Sequence, residues 1–338
     1  SSLLDLDLGS VTEVTSAQLS GLTGLVSDDT KGLIDIGATK IKDVEAKIEG
    51  GKIAYTELSS IAGVTNDTIK SVTVTKVGES ISGKDAIYGT IEQEDEAVAS
   101  KDFTISDLSL TLTGTGNLVS YTNTTDGKKV PTLSTIKFTT ADSELVTTGE
   151  GAQIGQVGDN DQYGSLYVKS GDLTANGSVT INSLEVASGA KLSIANDNKD
   201  GNGYAVTTGA EKVLISGELA AANSDVTFGS TATVTYDADG AASFNNVNKV
   251  TGKLAAKTLT LAGDTLVAQG GTVEAGELNV ASGKTVYVGD SASAGSLSVG
   301  ELTAGSIYAD PTWKEDGSAA AVSLVAVKKA ASGTSVEA

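Results

Sequence analysis

Three related stretches decide the fold: TLTLAGDTLV at 258–267, ELNVASGKTVYV at 277–288 and SLSVGELTAGSI at 296–307. Each has a small or polar residue, Leu, any residue, then Val or Leu, followed by a glycine-containing turn and a second short apolar segment. Leu259, Leu278 and Leu297 recur at a constant interval. A fixed period, with alternating apolar residues inside each unit, indicates a stacked β repeat.

Earlier copies of the same pattern extend this repeat towards the middle of the chain. SLYVKSG begins at Ser165 and SLEVASGAKLSI begins at Ser183, so that Leu166 and Leu184 recur at almost the same interval. The spacing between Leu184 and Leu259 is longer, and the polar insert NDNKDGNG at 196–203 accounts for part of the difference. The repeat therefore covers about half of the chain.

A period of about 18–19 residues fits one turn of a right-handed parallel β-helix, in which each turn buries its aliphatic side chains against the next. Glycine and asparagine occur between the strands because tight corners need a positive φ or a close backbone approach. We therefore predict that residues 151–338 form a repetitive β-helix-like domain. Leu259, Leu278 and Leu297 are expected to lie in one column.

A β-sandwich made of hairpins is the alternative architecture. Asn176-Gly177 and Asp239-Gly240 fall between predicted strands, and such pairs favour two-residue hairpin turns. The sandwich does not, however, explain a constant period.

Residues 1–150 predict a separate β-rich region with one or two short helices. TKIKDVEAKIE at 39–49 has apolar residues at helical spacing before two glycines, and 15–26 is a weaker helical candidate. Alternating segments at 71–77, 102–114 and 133–141 predict strands with one buried face. The whole chain is thus expected to be mostly β.

Composition excludes several classes of function. The 338 residues carry 23 basic and 43 acidic side chains, a net charge of −20, and every basic residue is Lys. An acidic surface repels nucleic acid and anionic lipid, and no apolar run is long enough to span a membrane. There is no His or Cys, which removes the commonest acid–base group, disulfides and thiolate metal sites. We therefore predict no enzymatic activity and no cofactor.

The repeats resemble the passenger regions of bacterial autotransporter adhesins. The resembling residues are SLEVASGAKLSI (183–194), ELNVASGKTVYV (277–288), GSVTI (177–181) and GSIYADPTWKEDGS (305–318). The resemblance covers about residues 160–327 and implies a secreted β-helix displayed on the bacterial cell surface.

One polar loop is a candidate calcium site. Asn196, Asn198 and Asp200, followed by Gly201, occupy the alternating oxygen positions of a calcium-binding loop. Thr207, however, stands where the closing bidentate Glu of such a loop would be expected. A polar loop without metal is the other interpretation.

These observations predict a non-catalytic, extracellular bacterial surface protein, either an adhesin or a structural scaffold built on a stacked β repeat. Its expected partners are other cell surfaces and glycans, or further copies of itself. The alternative function is a self-assembling subunit of a surface layer, fibre or biofilm matrix. The apolar strand within AAAVSLVAVKKAA, at 319–331, is expected to cap the stack or pair with the edge of a neighbouring molecule.

Overall fold

The computed structural model divides the chain into two compact units, Ser1–Ile154 and Gly155–Ala338. Up to residue 134 it describes the backbone of the strands and Gln18. After that, the described residues are 135–138, 140–161, 163–196, 201–239, 242–290, 293–309 and 323–337, with the strand backbone at 312–313 and 319–321. Each unit is described separately below.

The first unit consists of short strands. They are β1 (Leu6–Asp7), β2 (Glu13–Thr15), β3 (Ile34–Asp35), β4 (Lys40–Lys42), β5 (Val44–Glu49), β6 (Lys52–Tyr55), β7 (Ser71–Val74), β8 (Phe103–Ile105), β9 (Ser109–Leu112), β10 (Val119–Asn123), β11 (Lys129–Leu133), β12 (Ile136–Phe138), β13 (Glu144–Thr147) and β14 (Ala152–Ile154).

Parallel pairing dominates this unit. Strands β5, β7, β9 and β13 pair in that order, so that Val44, Val72, Leu110 and Leu145 occupy successive positions of one register column. Strands β8 and β12 are also parallel, whereas β10 and β11 form an antiparallel hairpin. The first unit therefore stacks parallel strands although its sequence has no constant period.

The helix predicted at 39–49 is wrong, because this segment forms strands β4 and β5. Strand β5 then pairs with β6 in an antiparallel hairpin in which Glu49 faces Lys52 across the two glycines. The reason is visible in VEAKIE, where apolar and charged residues alternate strictly, as in a strand with one buried face. The spacing of Val44 and Ile48 fits both periods, and strand pairing decided between them.

The other predictions for the first unit have mixed outcomes. Strands are confirmed within 71–77, 102–114 and 133–141. The weaker helical candidate at 15–26 lies outside the described residues, apart from Thr15 at the end of β2 and Gln18, which is helical and exposed.

The second unit contains two sets of parallel strands. The first set forms what we name the short-strand sheet, in the order β16 (Ser165–Val168), β19 (Ser183–Val186), β22 (Leu214–Ile215), β26 (Asn248–Val250), β28 (Thr265–Val267), β30 (Thr285–Val288), β32 (Ser306–Ala309) and β36 (Ser335–Glu337).

The second set forms the long-strand sheet. It contains β15 (Val157–Gly158), β17 (Asp172–Ala175), β18 (Val179–Ile181), β20 (Lys191–Ile194), β21 (Val206–Thr208), β23 (Glu218–Phe228), β27 (Lys253–Leu261), β29 (Thr272–Val280), β31 (Ser296–Ala304) and β35 (Leu324–Ala330). Two small antiparallel hairpins complete the unit, β24 (Thr235–Tyr236) with β25 (Ala242–Ser243) and β33 (Thr312–Trp313) with β34 (Ala319–Ala321).

The chain visits the two sheets alternately, and we name one short strand with the long strand that follows it a layer. Two separate strands serve as the long strand in the early layers. Strand β17 pairs with β20, which pairs with the first half of β23. Strand β18 pairs with β21, which pairs with the second half of β23. The described region is mostly β, and its stacked parallel strands are consistent with a parallel β-helix-like fold. The sandwich of hairpins is wrong, since the pairing between layers is parallel.

Aliphatic columns between the layers form the core. One column joins Leu192, Leu219, Leu254, Val273 and Leu297, which are all buried. Each buried Val or Leu side chain contributes about 1.5–3 kcal/mol to folding, so stability grows with every layer.

The predicted columns are correct at two steps and wrong at a third. Leu166 pairs with Leu184, and Leu259 pairs with Leu278, as expected. Leu297 does not continue that second column, because Leu278 pairs instead with Leu302.

Longer connections between the strands explain the difference. The connection from β30 to β31 is longer than the one from β28 to β29. It contains a turn in which Asp290 Oδ1 accepts hydrogen bonds from Ser293 N at 2.7 Å and Ser293 Oγ at 2.9 Å. Thr272 consequently pairs with Ser296, further along the chain than the period predicts. The repeat pattern aligned Leu278 with Leu297 in the first half of β31, whereas its partner Leu302 lies in the second half.

One outward column of the long-strand sheet alternates in charge. Asp172, Lys191, Glu218 and Lys253 lie next to one another on successive strands. Lys191 Nζ lies 3.0 Å from a carboxylate oxygen of Glu218. Opposite charges directly across paired strands favour this register.

Candidate functional site

Two outward-facing tyrosines lie beside each other on the short-strand sheet. Tyr287 on β30 pairs with Tyr308 on β32. Their chain neighbours Val286, Val288 and Ile307 are buried, so alternation along each strand directs both rings outward. The centroids of the two rings are 6.0 Å apart and the planes are 63° apart, an edge-to-face contact.

Residues 229–247 bring two more aromatic side chains to this place. This stretch, which we name the outer segment, joins β23 to β26 and contains the hairpin of β24 and β25. The ring centroids of Phe244 and Tyr287 are 5.3 Å apart at 71°. The hydroxyls of Tyr236 and Tyr287 are 3.3 Å apart. We name Tyr236, Phe244, Tyr287 and Tyr308 the aromatic surface.

A small apolar cluster anchors the outer segment to the sheet. Val234 and Val247, from its two ends, pack with Leu266 and Ala268, and all four are buried. Phe244 and Tyr287 pack against this cluster. The outer segment therefore covers the outward side of β28 in the same way that a core covers a sheet face.

A buried carboxylate fixes the outer segment between layers. Asp264, only 3% exposed, accepts hydrogen bonds from the backbone N of Val234 at 2.8 Å and of Thr285 at 2.9 Å. Charge-assisted hydrogen bonds of this kind are stronger than neutral ones. Asp264 thus links the outer segment to the strand that carries Tyr287.

Lys284 supplies a second attachment. Its Nζ donates to the carbonyl oxygens of Thr231 at 2.8 Å and Ala232 at 3.3 Å, and it also contacts Thr233 Oγ1. These contacts join parts of the chain that are far apart in sequence, so they hold the start of the outer segment against a later layer.

The surroundings of Tyr287 change its acidity. Burial, the hydrogen bond with Tyr236 and the nearby negative charge of Asp264 raise the pKa of the Tyr287 hydroxyl well above its usual value, and a hydrogen bond with Thr285 opposes them. The phenol is therefore neutral at physiological pH and donates or accepts hydrogen bonds as an uncharged group.

The aromatic surface remains open to solvent at two rings. Tyr236 is 60% exposed and Tyr308 is 38% exposed. Polar groups surround the latter, because Glu337 pairs with Tyr308 on β36, and Ser306 and Ser335 share a hydrogen bond of 2.8 Å between their hydroxyls. Exposed rings with hydroxyls and a carboxylate nearby form an amphipathic surface.

A second candidate surface is formed by the strands β35 and β36. The predicted apolar strand at 319–331 is confirmed as β35, which pairs in parallel with β31. Leu324 is 64% exposed and Val336 is 47% exposed, whereas Ile307, the partner of Val336 on β32, is only 1% exposed. Val336 is thus partly open at a position where its partner on β32 is buried, and Leu324, which pairs with Ser296, adds an exposed apolar side chain.

The predicted calcium ligands are only partly described. Asn196 Oδ1 accepts a hydrogen bond of 3.1 Å from Asn223 Nδ2, and the backbone of Asn196 bridges to Gly203. Asn198 and Asp200 lie outside the described residues. A calcium site at this loop therefore stays a prediction.

Sequence reasoning missed the aromatic surface. Tyr236, Phe244, Tyr287 and Tyr308 are widely separated in sequence, and the fold brings them together. One signal was available, because Tyr287 in TVYV and Tyr308 in SIYA occupy the same place in their repeat units.

Comparisons of the chain with protein-family models, with curated proteins and with solved structures find no match. Among the residues that the structure describes, no helix has the length and apolar character needed to cross a membrane.

Proposed function

We propose that this chain is a non-catalytic, extracellular bacterial surface protein that acts as an adhesin on a rigid scaffold. In this proposal the stacked layers form a right-handed parallel β-helix with turns such as those from Leu166 to Leu184 and from Leu259 to Leu278, two pairs of residues that lie side by side. The resemblance of the repeats to autotransporter adhesin passengers supports the extracellular location.

The observation that carries the proposal is the division between inward and outward positions. Inward columns such as Leu219, Leu254 and Val273 are aliphatic and at most 2% exposed, whereas outward columns are rich in Ser, Thr and charged residues. A stack of this kind is stiff because each layer is packed and hydrogen-bonded to its neighbours. It holds outward groups at fixed positions, which is what an adhesive surface needs.

The outer segment supports a recognition role more directly. It adds no strand to either sheet, yet Asp264 and Lys284 attach it and it places aromatic rings at the surface. Segments that are positioned by a rigid scaffold commonly carry binding functions.

An adhesion assay tests the proposal. Fluorescently labelled protein, shown to be monomeric by gel filtration, should bind bacterial or epithelial cells in a saturable way and compete with unlabelled protein. Negative-stain images should show separate particles. Monomeric protein that adheres to no cell type in the panel would contradict an adhesin.

Self-assembly is the second candidate function, and the partly open surface of β35 and β36 favours it. Exposed apolar side chains such as Leu324 and Val336 promote association between molecules. If this is the function, concentrated protein should form ordered polymers in negative-stain images. The double variant Leu324→Glu, Val336→Glu should abolish them, because charges on an edge oppose pairing. Tyr163→Ala, at an exposed position on another strand connection, is the matched control and should polymerise normally.

A further inference from the structure

We propose that the aromatic surface binds a neutral glycan through the exposed rings of Tyr236 and Tyr308. This inference rests on the proposed adhesive function and specifies the class of ligand. It goes beyond the scaffold because it assigns recognition to particular side chains.

The chemistry of the surface fits a sugar. The C–H face of a pyranose ring is apolar and packs against an aromatic ring, while its hydroxyl groups need donors and acceptors at the rim. Tyr308 supplies an exposed ring, Ser306 and Ser335 supply hydroxyls, and Glu337 supplies a carboxylate on the neighbouring strand. The hydroxyls of Tyr236 and Tyr287 add a polar edge on the other side.

The size of the exposed area favours a glycan over a protein. A tyrosine buries roughly 150–250 Å², so the exposed parts of Tyr236 and Tyr308 together amount to roughly 200 Å². A standard protein interface covers about 800 Å² on each partner, with an apolar centre. The aromatic surface is therefore too small for the core of a stable protein interface, whereas it is large enough to cover a few sugar rings.

Charge selects the kind of glycan. The chain has a net charge of −20, and the carboxylate of Glu337 lies on the strand next to Tyr308. Sulfated, sialylated or uronic-acid glycans would be repelled by this field. A neutral glycan has no such penalty, and its hydroxyls can donate to the carboxylate.

The rings are also held in place before any ligand binds. Tyr287 and Tyr308 lie on paired strands, and Asp264 and Lys284 fix the outer segment that carries Tyr236. Aromatic groups that are ordered in advance lose little conformational entropy on binding, which favours measurable affinity from a small surface.

Binding to an array of oligosaccharides tests the inference. The neutral set contains oligomers of glucose, galactose, mannose and N-acetylglucosamine, and the anionic set contains sialylated, sulfated and uronic-acid oligomers. The wild-type chain should bind members of the neutral set and prefer them to the anionic set. Tyr308→Ala and Tyr236→Ala should each weaken binding about tenfold, which corresponds to roughly 1.4 kcal/mol.

Two further variants separate ring stacking from other effects. Tyr308→Phe keeps the ring and should retain most of the affinity, while Tyr163→Ala removes an exposed tyrosine elsewhere and should bind like the wild type. Circular dichroism and thermal melting of each variant verify that the fold is retained. Equal binding by wild type and Tyr308→Ala would overturn the inference.

The other possible outcomes of these experiments also support or overturn the glycan assignment. Preference for the anionic set, or failure to bind any neutral oligosaccharide, would overturn the glycan assignment. If the wild type adheres to cells while Tyr308→Ala adheres equally well, the adhesive scaffold stands and this inference fails. If adhesion to cells is lost in Tyr308→Ala and is blocked by the same neutral oligosaccharide in the wild type, both are supported.

Discussion

Two neighbouring layers of the second unit differ mainly in what lies outside the core. From β27 to β29 the chain runs from Leu254 to its partner Val273. From β23 to β27 it runs from Leu219 to its partner Leu254, a path almost twice as long. We refer to β27, β28 and β29 together as the compact layer, and to β23, β26 and β27 with the outer segment as the expanded layer. The additional residues of the expanded layer belong to the outer segment.

The inward columns are the same in both layers. Leu219, Leu254 and Val273 are at most 2% exposed, and they continue one column across both layers. The stack therefore depends on side chains that face inward, and the outer surface varies in length without interrupting it. The additional residues lie in the connections between strands, where backbone pairing between layers is not disturbed.

The largest expected effect tests whether the two layers have equally packed interiors. Leu278→Ala in the compact layer and Leu219→Ala in the expanded layer remove side chains that are both 0% exposed. Each should lower the free energy of unfolding by about 2–5 kcal/mol because a cavity remains. Urea denaturation of both variants measures it. A Leu219→Ala cost below about 1 kcal/mol would mean that the expanded layer is loosely packed, so that the two layers do not have equally packed interiors.

A somewhat smaller effect is expected at the corner where the expanded layer rejoins the stack. A Cβ atom added to Gly252 would lie 1.9 Å from the carbonyl oxygen of Gly217, which belongs to the backbone and cannot move alone. Gly252→Ala should therefore cost about 3 kcal/mol, near the upper end for overpacking. The comparison variant Gly270→Ala has open space but a φ of +80°, and should cost about 1–2 kcal/mol. Thermal melting of both chains measures the order, and a reversed order would contradict the corner contact.

The attachment of the outer segment gives the next effect. Asp264→Asn keeps the shape but turns one acceptor into a donor that faces a backbone N–H. It should lower stability by about 1–3 kcal/mol. Hydrogen exchange at Val234 and Thr285 should speed up, while exchange at Leu278 in the compact layer should stay slow. Asp290→Asn, in a more exposed turn, is the control. Uniformly faster exchange in every layer would show that Asp264 supports the whole stack instead.

The smallest effect at neutral pH concerns Tyr287. Tyr287→Phe removes the hydrogen bonds that the hydroxyl makes with Tyr236 and Thr285 on a partly exposed surface, so it should cost about 0.5–1.5 kcal/mol. Its folded-state pKa is raised, so the folded chain holds this proton more tightly than the unfolded chain does. The resulting stabilisation is present below the unfolded pKa of about 10 and is lost as pH rises above it.

Chemical denaturation at several alkaline pH values checks this. The wild type should lose stability above pH ~10 more steeply than Tyr287→Phe does. Parallel slopes would mean that the environment of Tyr287 in the folded chain does not favour its protonated form.

Much of the stack was predictable from the sequence because alternation and periodicity report directly on inward positions. The pairs Leu166–Leu184 and Leu259–Leu278 follow from period alone. The period failed at Leu297 because longer connections lengthen that layer, and the half-strands SLSV and ELTA resemble each other. Local pattern identifies a strand but cannot measure the length of the turn before it.

The first unit shows the same limit more strongly. One column of parallel strands contains Val44, Val72, Leu110 and Leu145. The intervals between these residues along the sequence are unequal, so no repeat period predicts the column. The aromatic surface was equally hidden, since Tyr236 joins Tyr287 only through the path of the outer segment. Contacts between distant residues depend on the fold, and a single sequence does not encode them in any short pattern.

The alternating column of Asp172, Lys191, Glu218 and Lys253 constrains how such a chain can change its length. Deleting the single layer that carries Glu218 would set Lys191 beside Lys253, and like charges directly across from each other are unfavourable. Deleting two adjacent layers would instead bring Asp172 next to Lys253 and restore attraction. Within these four strands, loss of two adjacent layers is therefore tolerated better than loss of one.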